Sequence, residues 1–404
     1  MGGGCAGVAV WLGTCWRLTG GRGDGEAGRR MKIVIAMDSF KGTLGADRAC
    51  GIVAEAIVAA RPGAEIVVRP MADGGEGTAA ALMAASGGRW VPATVMGPLV
   101  EMEVRAGFAW LPADRTAVVE MASASGMGLL RPEQLDPMKT TTFGTGQLVR
   151  AALDHGAERI LLGVGGSATV DGGVGAATAL GWRFLAGDGT AVPPGGGGLG
   201  RICEIVPPNC GIEVPVDVLC DVDNPLCGPH GAARVYGPQK GATAEMVEAL
   251  DAGLSHLAAL AADQLGVRVR DLPGAGAAGG LAAGAVAFMD ARLVSGIETV
   301  MTQAHLRSDV GDADWVITGE GRFDAQSMRG KVVSGVARVA REGGARVAVI
   351  AGQVGLSERV WQAAGIGAVL ACMSPGMDLP SALGRSEELL SEAAGRFARR
   401  HLAG

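Results

Sequence analysis

The sequence predicts an α/β fold in two domains, and three observations predict it. From Met31 onward, apolar runs of strand length alternate with amphipathic helical segments, the pattern of helices packed on a parallel sheet. The 404 residues exceed what one ordinary core organises. Both ends of the chain show simple βα alternation while the middle departs from it, so one domain is expected to be built from both termini with the other inserted between them.

The elements follow in chain order. Residues 1–30 hold ten glycines and a semi-apolar stretch from Cys5 to Trp16, with no basic segment ahead of it as a signal peptide needs. They are expected to be an unstructured extension, with the functional start at Met31. Lys32-Ile33-Val34-Ile35-Ala36-Met37 then reads as a strand. Cys50, Val53, Ala54, Ile57 and Val58 fall on one helical face, and Arg61-Pro62-Gly63 ends that helix. Residues 65–69 read as the next strand, and extended segments near 89–96 and 100–110 suggest antiparallel structure. Thr145 is the expected N-cap of a helix that runs through Gly156 to a strand at 159–163. A long helix is expected after Thr243, with Met246, Val247, Leu250, Leu254, Leu257 and Leu265 on one side and Gly266 as its stop. From Asp314 the βα alternation returns with Trp315-Val316-Ile317, a helix from Lys331, and Val347-Ala348-Val349-Ile350. The expected domains are residues 31–72 with 290–404, a discontinuous Rossmann-like three-layer α/β domain, and 73–289, an inserted α/β domain. The active site is expected in the cleft between them.

Composition narrows the function. A net charge of −6 and aromatics at 4% argue against a nucleic-acid partner, which needs a basic face or stacking platforms. Anionic small molecules stay open, because a local cluster of Lys and Arg can outweigh the global sign. The eight Cys form no CxxC pair and read as thiols of a reducing cytoplasm. The five His are scattered, without metal-site spacing. No window is long and apolar enough to span a membrane.

Six polar, glycine-rich clusters carry the chemistry, several of them just past an apolar strand, where ligands of open parallel sheets bind. They are Asp38-Ser39-Phe40-Lys41-Gly42-Thr43; residues 71–78 with Asp73 and Glu76; and residues 163–173 with Gly165, Gly166, Ser167 and Asp171. The others are residues 220–226 with Asp221, residues 237–242 with Lys240, and residues 318–326 with Gly319, Gly321, Arg322 and Asp324, followed by Gly330-Lys331. Each alone is an ordinary βα turn more often than a site. Together they supply what phosphoryl transfer needs: carboxylates for Mg²⁺, cations for the moving phosphoryl, backbone N–H groups for phosphates and a base for the acceptor hydroxyl. No Walker A, protein-kinase or GxSxG pattern is present. Two other classes compete. GxGxxG at 274–279 and GxGxxA at 163–168 would suit a nicotinamide-dependent oxidoreductase acting on a small hydroxy acid, but the first follows Leu272-Pro273 where an apolar strand is required. A non-catalytic sensor would need one polar pocket, not six charged loops.

In this order the clusters resemble those of the bacterial glycerate kinases of the first type. The likeness runs from Lys32 to about Pro375 and rests on DSFKG at 38–42, PMADGGEGT at 70–78, FGTGQL at 143–148 and GGSATVDGG at 165–173. CDVDNPL at 220–226, GPQKGA at 237–242, PGAGAAGG at 273–280 and TGEGRFDAQS at 318–327 complete it. The family often has Ser where this chain has Thr43 and Gly45, Asn at Val170 and Pro at Val333. The resemblance implies ATP- and Mg²⁺-dependent phosphorylation of D-glycerate to 2-phosphoglycerate, with 3-phosphoglycerate open, by a cytoplasmic monomer or homodimer without nucleic-acid or membrane partners. Chemistry then proposes the roles. Asp171 or Asp38 is the base and Lys41 acts with them. Gly165, Gly166, Ser167, Lys240, Gly319, Gly321 and Lys331 hold the nucleotide. Ser39, Arg322 and Asp324 take the acid, Arg322 as a planar fork for its carboxylate, and Asp73, Glu76 or Asp221 lie near Mg²⁺.

Overall fold

A computed structural model describes residues 11–12, 15–16, 29–328 and 330–402. The expectation for residues 1–30 therefore lies mostly outside the described residues; within it, Trp11–Leu12 and Cys15–Trp16 pair as a short antiparallel ladder. The strands of the two main sheets, in chain order, are β1 (Lys32–Ile35), β2 (Glu65–Val68), β3 (Arg89–Met96), β4 (Glu103–Leu111) and β5 (Thr116–Glu120). They continue with β6 (Arg159–Gly163), β7 (Val216–Leu219), β8 (Arg292–Val294), β9 (Trp315–Phe323), β10 (Arg346–Val354) and β11 (Ala368–Ala371). The chain divides into two compact units. The first gathers Met1–Asp73, Ala80–Gly87 and Ile297–Gly404, and the second Gly74–Ala79 and Gly88–Gly296.

In the first unit the strands run in the order β11-β10-β9-β1-β2, all parallel. Their apolar runs are buried on both faces, as parallel strands require. Ile33, Ile35, Ile66, Ile317 and Ile350 point to one face, where Cys50, Val53 and Ile57 of the helix Ala46–Ala60 meet Leu390, Ala394 and Phe397 of the helix Ser386–His401. The helix Val332–Glu342 packs on β9 and β10 without joining that cluster and so covers the other face. The chain leaves β1 toward β2 and returns through β9 on the opposite side. The order therefore reverses between β1 and β9, which opens a crevice at their carboxyl ends.

The second unit holds a six-stranded sheet, β8-β7-β6-β5-β4-β3. Its first four strands are parallel, and β4 and β3 join them antiparallel. Pro92 donates no backbone hydrogen bond, and β3 accordingly lies at an edge. The long helix runs from Ala244 to Leu265 as the pattern predicts. Thr243 Oγ1 accepts from Met246 N at 3.3 Å, and Gly266 ends it at φ 73°.

Two expectations are corrected. Thr145 does not cap its helix, which begins two residues earlier at Phe143; its hydroxyl instead donates to Ser125 Oγ at 2.9 Å. The cluster at 318–326 is not a loop from its start, because β9 continues through Phe323, pairing Arg322 with Gln353 and Phe323 with Val354. The glycine match at 274–279 follows no strand. A Cβ on Gly276 would lie 2.3 Å from Pro225 O and one on Gly279 1.9 Å from Thr169 O, so these glycines allow segments to pack closely.

Gly319 performs a similar service in β9, where a Cβ would come 1.9 Å from Ile350 O on the neighbouring strand. Gly319→Ala forces backbone apart, and the expected loss is about 1–3 kcal/mol. A urea melt that shows an unchanged midpoint would mean that β9 and β10 separate freely at this point.

Candidate functional site

The crevice of the first unit holds a cavity of about 460 Å³. It lies where the parallel strands end: Asp38 and Ser39 follow β1, Asp73 follows β2, Glu320 and Gly321 stand in the second half of β9, Gly352 is near the end of β10 and Cys372 follows β11. The segment after β1 keeps its place by pairing with β9, through Ala36 N to Ile317 O at 2.7 Å and Asp38 N to Gly319 O at 2.9 Å. It then turns tightly, with Phe40 N donating to Leu44 O at 2.8 Å and Thr43 Oγ1 to Phe40 O at 2.9 Å. Gly42 sits in that turn at φ 83°, where a side chain would be strained.

Asp38 is the most perturbed carboxylate of the cavity. It is buried, and burial together with the nearby Asp73 carboxylate pushes its pKa up to about 7. The Ser39 N–H, donating to Asp38 Oδ1 at 2.6 Å, and the Lys41 ammonium oppose the shift. A carboxylate poised near neutrality inside a cavity suits a general base. Around it stand Lys41, Arg322 and Lys331 as cations, with Ser39 and Asp324. Arg322 Nε lies 3.3 Å from Asp324 Oδ2, and Ser327 Oγ closes the Asp324 turn by accepting from Asp324 N at 2.9 Å and donating to Arg322 O at 3.3 Å, while Asp324 Oδ1 accepts from Gln326 N at 2.8 Å. Gly321 lines the cavity, whereas Gly319 is buried against Ile350 and does not.

Sequence reasoning passed over Glu320. Its side chain lines the same cavity, burial raises its pKa against the pull of Ser327 and Lys331, and its Oε1 is buried without a hydrogen-bond partner. The alternation within β9 was the available signal, but the cluster read as a loop hid it. The apolar wall was also missed: Phe40 lies far in sequence from Met373, Leu379 and Leu383, and no motif joins them.

The remaining residues lie in the second unit. Asp171 is fully buried. Its Oδ2 accepts from Thr142 N at 2.8 Å, Thr142 Oγ1 at 2.9 Å and Gly175 N at 3.3 Å, and its Oδ1 from Gly173 N at 3.1 Å. Burial raises its pKa against these bonds. Read from the sequence as a candidate base, it is by geometry the anchor of its own loop. Lys240 is likewise enclosed, at 2% exposure, with Nζ donating to Ser167 Oγ and Thr169 O, both at 2.7 Å. Burial pushes its pKa down to about 7, while the Asp171 carboxylate pulls upward. Its ammonium therefore braces the 165–169 loop. Gly165 and Gly166 remain partly or fully exposed on that loop, which follows β6.

The three carboxylates expected near a metal are placed differently. Asp73 lines the first unit's cavity, Glu76 is exposed in the second unit, and Asp221 Oδ1 accepts from Ser295 Oγ at 2.7 Å and Gly296 N at 3.0 Å. Among the described residues, no three His, Cys, Asp or Glu side chains are grouped to hold a metal ion by themselves. Mg²⁺ in phosphoryl-transfer sites takes only one or two carboxylates, the rest of its shell being phosphate and water. The cavity fits that demand, with hard oxygen donors on Asp73 and Glu320 and an unpartnered buried Oε1 on the latter. No described helix is long and apolar enough to cross a membrane.

The chain is similar to known proteins over most of its length. The model of the glycerate kinase family matches residues 33–402. A glycerate kinase of Bacillus subtilis (strain 168) is 44% identical over 369 residues, covering 90% of this chain and 96% of that one. A glycerate 2-kinase of Escherichia coli (strain K12) is 44% identical over 348 residues, covering 85% and 91%. A crystal structure from Salmonella typhimurium LT2, named as a provisional glycerate kinase 2, aligns with a TM-score of 0.82 at 42% identity, covering 92% of this chain and 98% of that one.

Proposed function

The chain belongs to the glycerate kinase family, and on that premise we propose that it transfers the γ-phosphoryl group of ATP, with Mg²⁺, to the 2-hydroxyl of D-glycerate. The choice of hydroxyl follows the glycerate 2-kinase of Escherichia coli, 44% identical to this chain. The observation that carries the chemistry is Asp38, a buried carboxylate with a pKa of about 7 beside Lys41 in the cavity at the strand ends.

Asp38 takes the proton of the acceptor hydroxyl as its oxygen bonds to the γ-phosphorus, while the bond from that phosphorus to the bridging oxygen of ADP breaks. Lys41 and Lys331 offset negative charge on the moving phosphoryl, and Arg322, its side chain largely exposed, takes the carboxylate of the acid as a two-pronged donor. Asp73 and Glu320 would hold Mg²⁺, which neutralises phosphate charge. In the second unit, Lys240 and Asp171 are proposed to act as positioning residues that hold the Gly165–Gly166 loop in shape. The enzyme is proposed to work in the cytoplasm, where its six described cysteines, all free, stay reduced.

Purified protein with Mg-ATP is expected to consume D-glycerate, release ADP and yield 2-phosphoglycerate, read by a coupled ADP assay and phosphorus NMR of the product. Omitting Mg²⁺ should abolish turnover, because the charge of ATP would meet a cavity already rich in carboxylates. Reduction of hydroxypyruvate by NADH without ATP, or turnover independent of metal, would overturn the proposal.

A further inference from the structure

The cavity of the first unit is larger and more apolar than a three-carbon acid requires. Its volume of about 460 Å³ falls in the range of sites that enclose drug-sized ligands. The charges come from the loops after β1 and β2 and from β9 and the segment after it, Asp38, Lys41, Asp73, Glu320, Arg322 and Lys331, while Met373, Leu379 and Leu383 come from the chain after β11, at the far edge of the sheet. Leu379 and Leu383 stand four residues apart on the helix Leu379–Gly384, hence on one face, and both line the cavity while remaining 51% and 44% exposed. Two large exposed leucines facing one cavity mark a binding surface more than scattered surface apolarity does. Gln353 and Ser386 bring an amide and a hydroxyl to the same cavity.

We propose that this apolar wall seats the purine base of the nucleotide, with Leu379 and Leu383 against its face and Gln353 and Ser386 at its polar edge. The inference rests on the kinase reading above and adds the orientation of the nucleotide. The base lies beyond β11 and the phosphates run back toward Lys41 and Lys331. A flat aromatic ring with hydrogen-bonding edges matches a wall of this composition. The anionic parts of both substrates are then left to the charged residues.

The test uses the full chain and two variants, Leu379→Asp and Leu383→Asp, each at a half-exposed position where the fold tolerates a polar group. Calorimetric titration with Mg-ADP should show affinity lowered about tenfold, the effect of removing one apolar face from the ring and placing a charge there. Titration with Mg-tripolyphosphate, which has no base, should show no such loss, and the KM for D-glycerate should not rise in parallel. Val360→Asp, an equally exposed position (46%) away from the cavity, serves as the control and should bind Mg-ADP as the parent does. Mg-ADP affinity unchanged in both leucine variants would overturn the inference. So would a change in oligomeric state alone, which would make the leucines a contact between copies. A parent protein that binds Mg-ADP through these leucines but does not phosphorylate D-glycerate would sink the activity reading and leave the nucleotide subsite standing.

Discussion

Asp38→Asn is expected to lower kcat by on the order of 10²–10⁴ while leaving the protein folded. The amide keeps the shape of the side chain and can still accept from Ser39 N, but it cannot take a proton from the acceptor hydroxyl. The pH dependence makes the role visible. In the parent, kcat/KM should rise with pH through about 7 as Asp38 ionises, and this limb should vanish in the variant. Stability runs the other way. The folded pKa lies above that of an ordinary aspartate, so the stabilising influence of the protonated form is complete below the ordinary value and is lost as pH rises through about 7. At pH 8 the parent carries an ionised carboxylate in a buried place, and Asp38→Asn relieves it. The variant should therefore melt at or above the parent temperature at pH 8, though nearly inactive. A variant that keeps the pH limb would place the base elsewhere. One that loses stability along with activity would make Asp38 a structural group.

Asp171→Ala is expected to fail in the opposite manner, by unfolding. The substitution strands buried N–H groups of Thr142, Gly173 and Gly175 and removes the negative partner facing the enclosed Lys240. Removing one member of such a buried set costs about 3–5 kcal/mol, a large share of what holds a domain together. Urea denaturation should show this loss, and turnover should fall in proportion to the folded fraction. Asp171→Asn, which retains one acceptor oxygen, should lose less. Full stability with turnover lost by orders of magnitude would instead restore Asp171 as the base.

Much of the fold was legible in the sequence because it is written in local patterns. Periodic burial placed Cys50, Val53, Ala54 and Ile57 on the inner face of the helix Ala46–Ala60, and Thr243 and Gly266 marked the ends of the long helix. The ordered glycine-rich clusters were sufficient to indicate the family, since each is a short contiguous string whose chemistry does not depend on what folds against it.

What tertiary structure alone decided is which of those strings carry polar groups into a cavity and which turn them inward. Asp38 and Asp171 look alike in sequence, each an acid in a glycine-bearing loop. One ends beside Asp73 in a cavity and is held near neutrality; the other is closed over by Thr142, Gly173 and Gly175. Lys41 and Lys240 divide in the same way, the first exposed at the cavity and the second enclosed on Ser167 and Thr169. Glu320 became visible only when β9 proved to extend through its motif, because Gly319 lets β10 approach so closely that pairing continues to Phe323. Burial and the supply of hydrogen-bond donors are properties of segments far apart in the chain. Those, and not residue type, set whether a carboxylate is a base or an anchor.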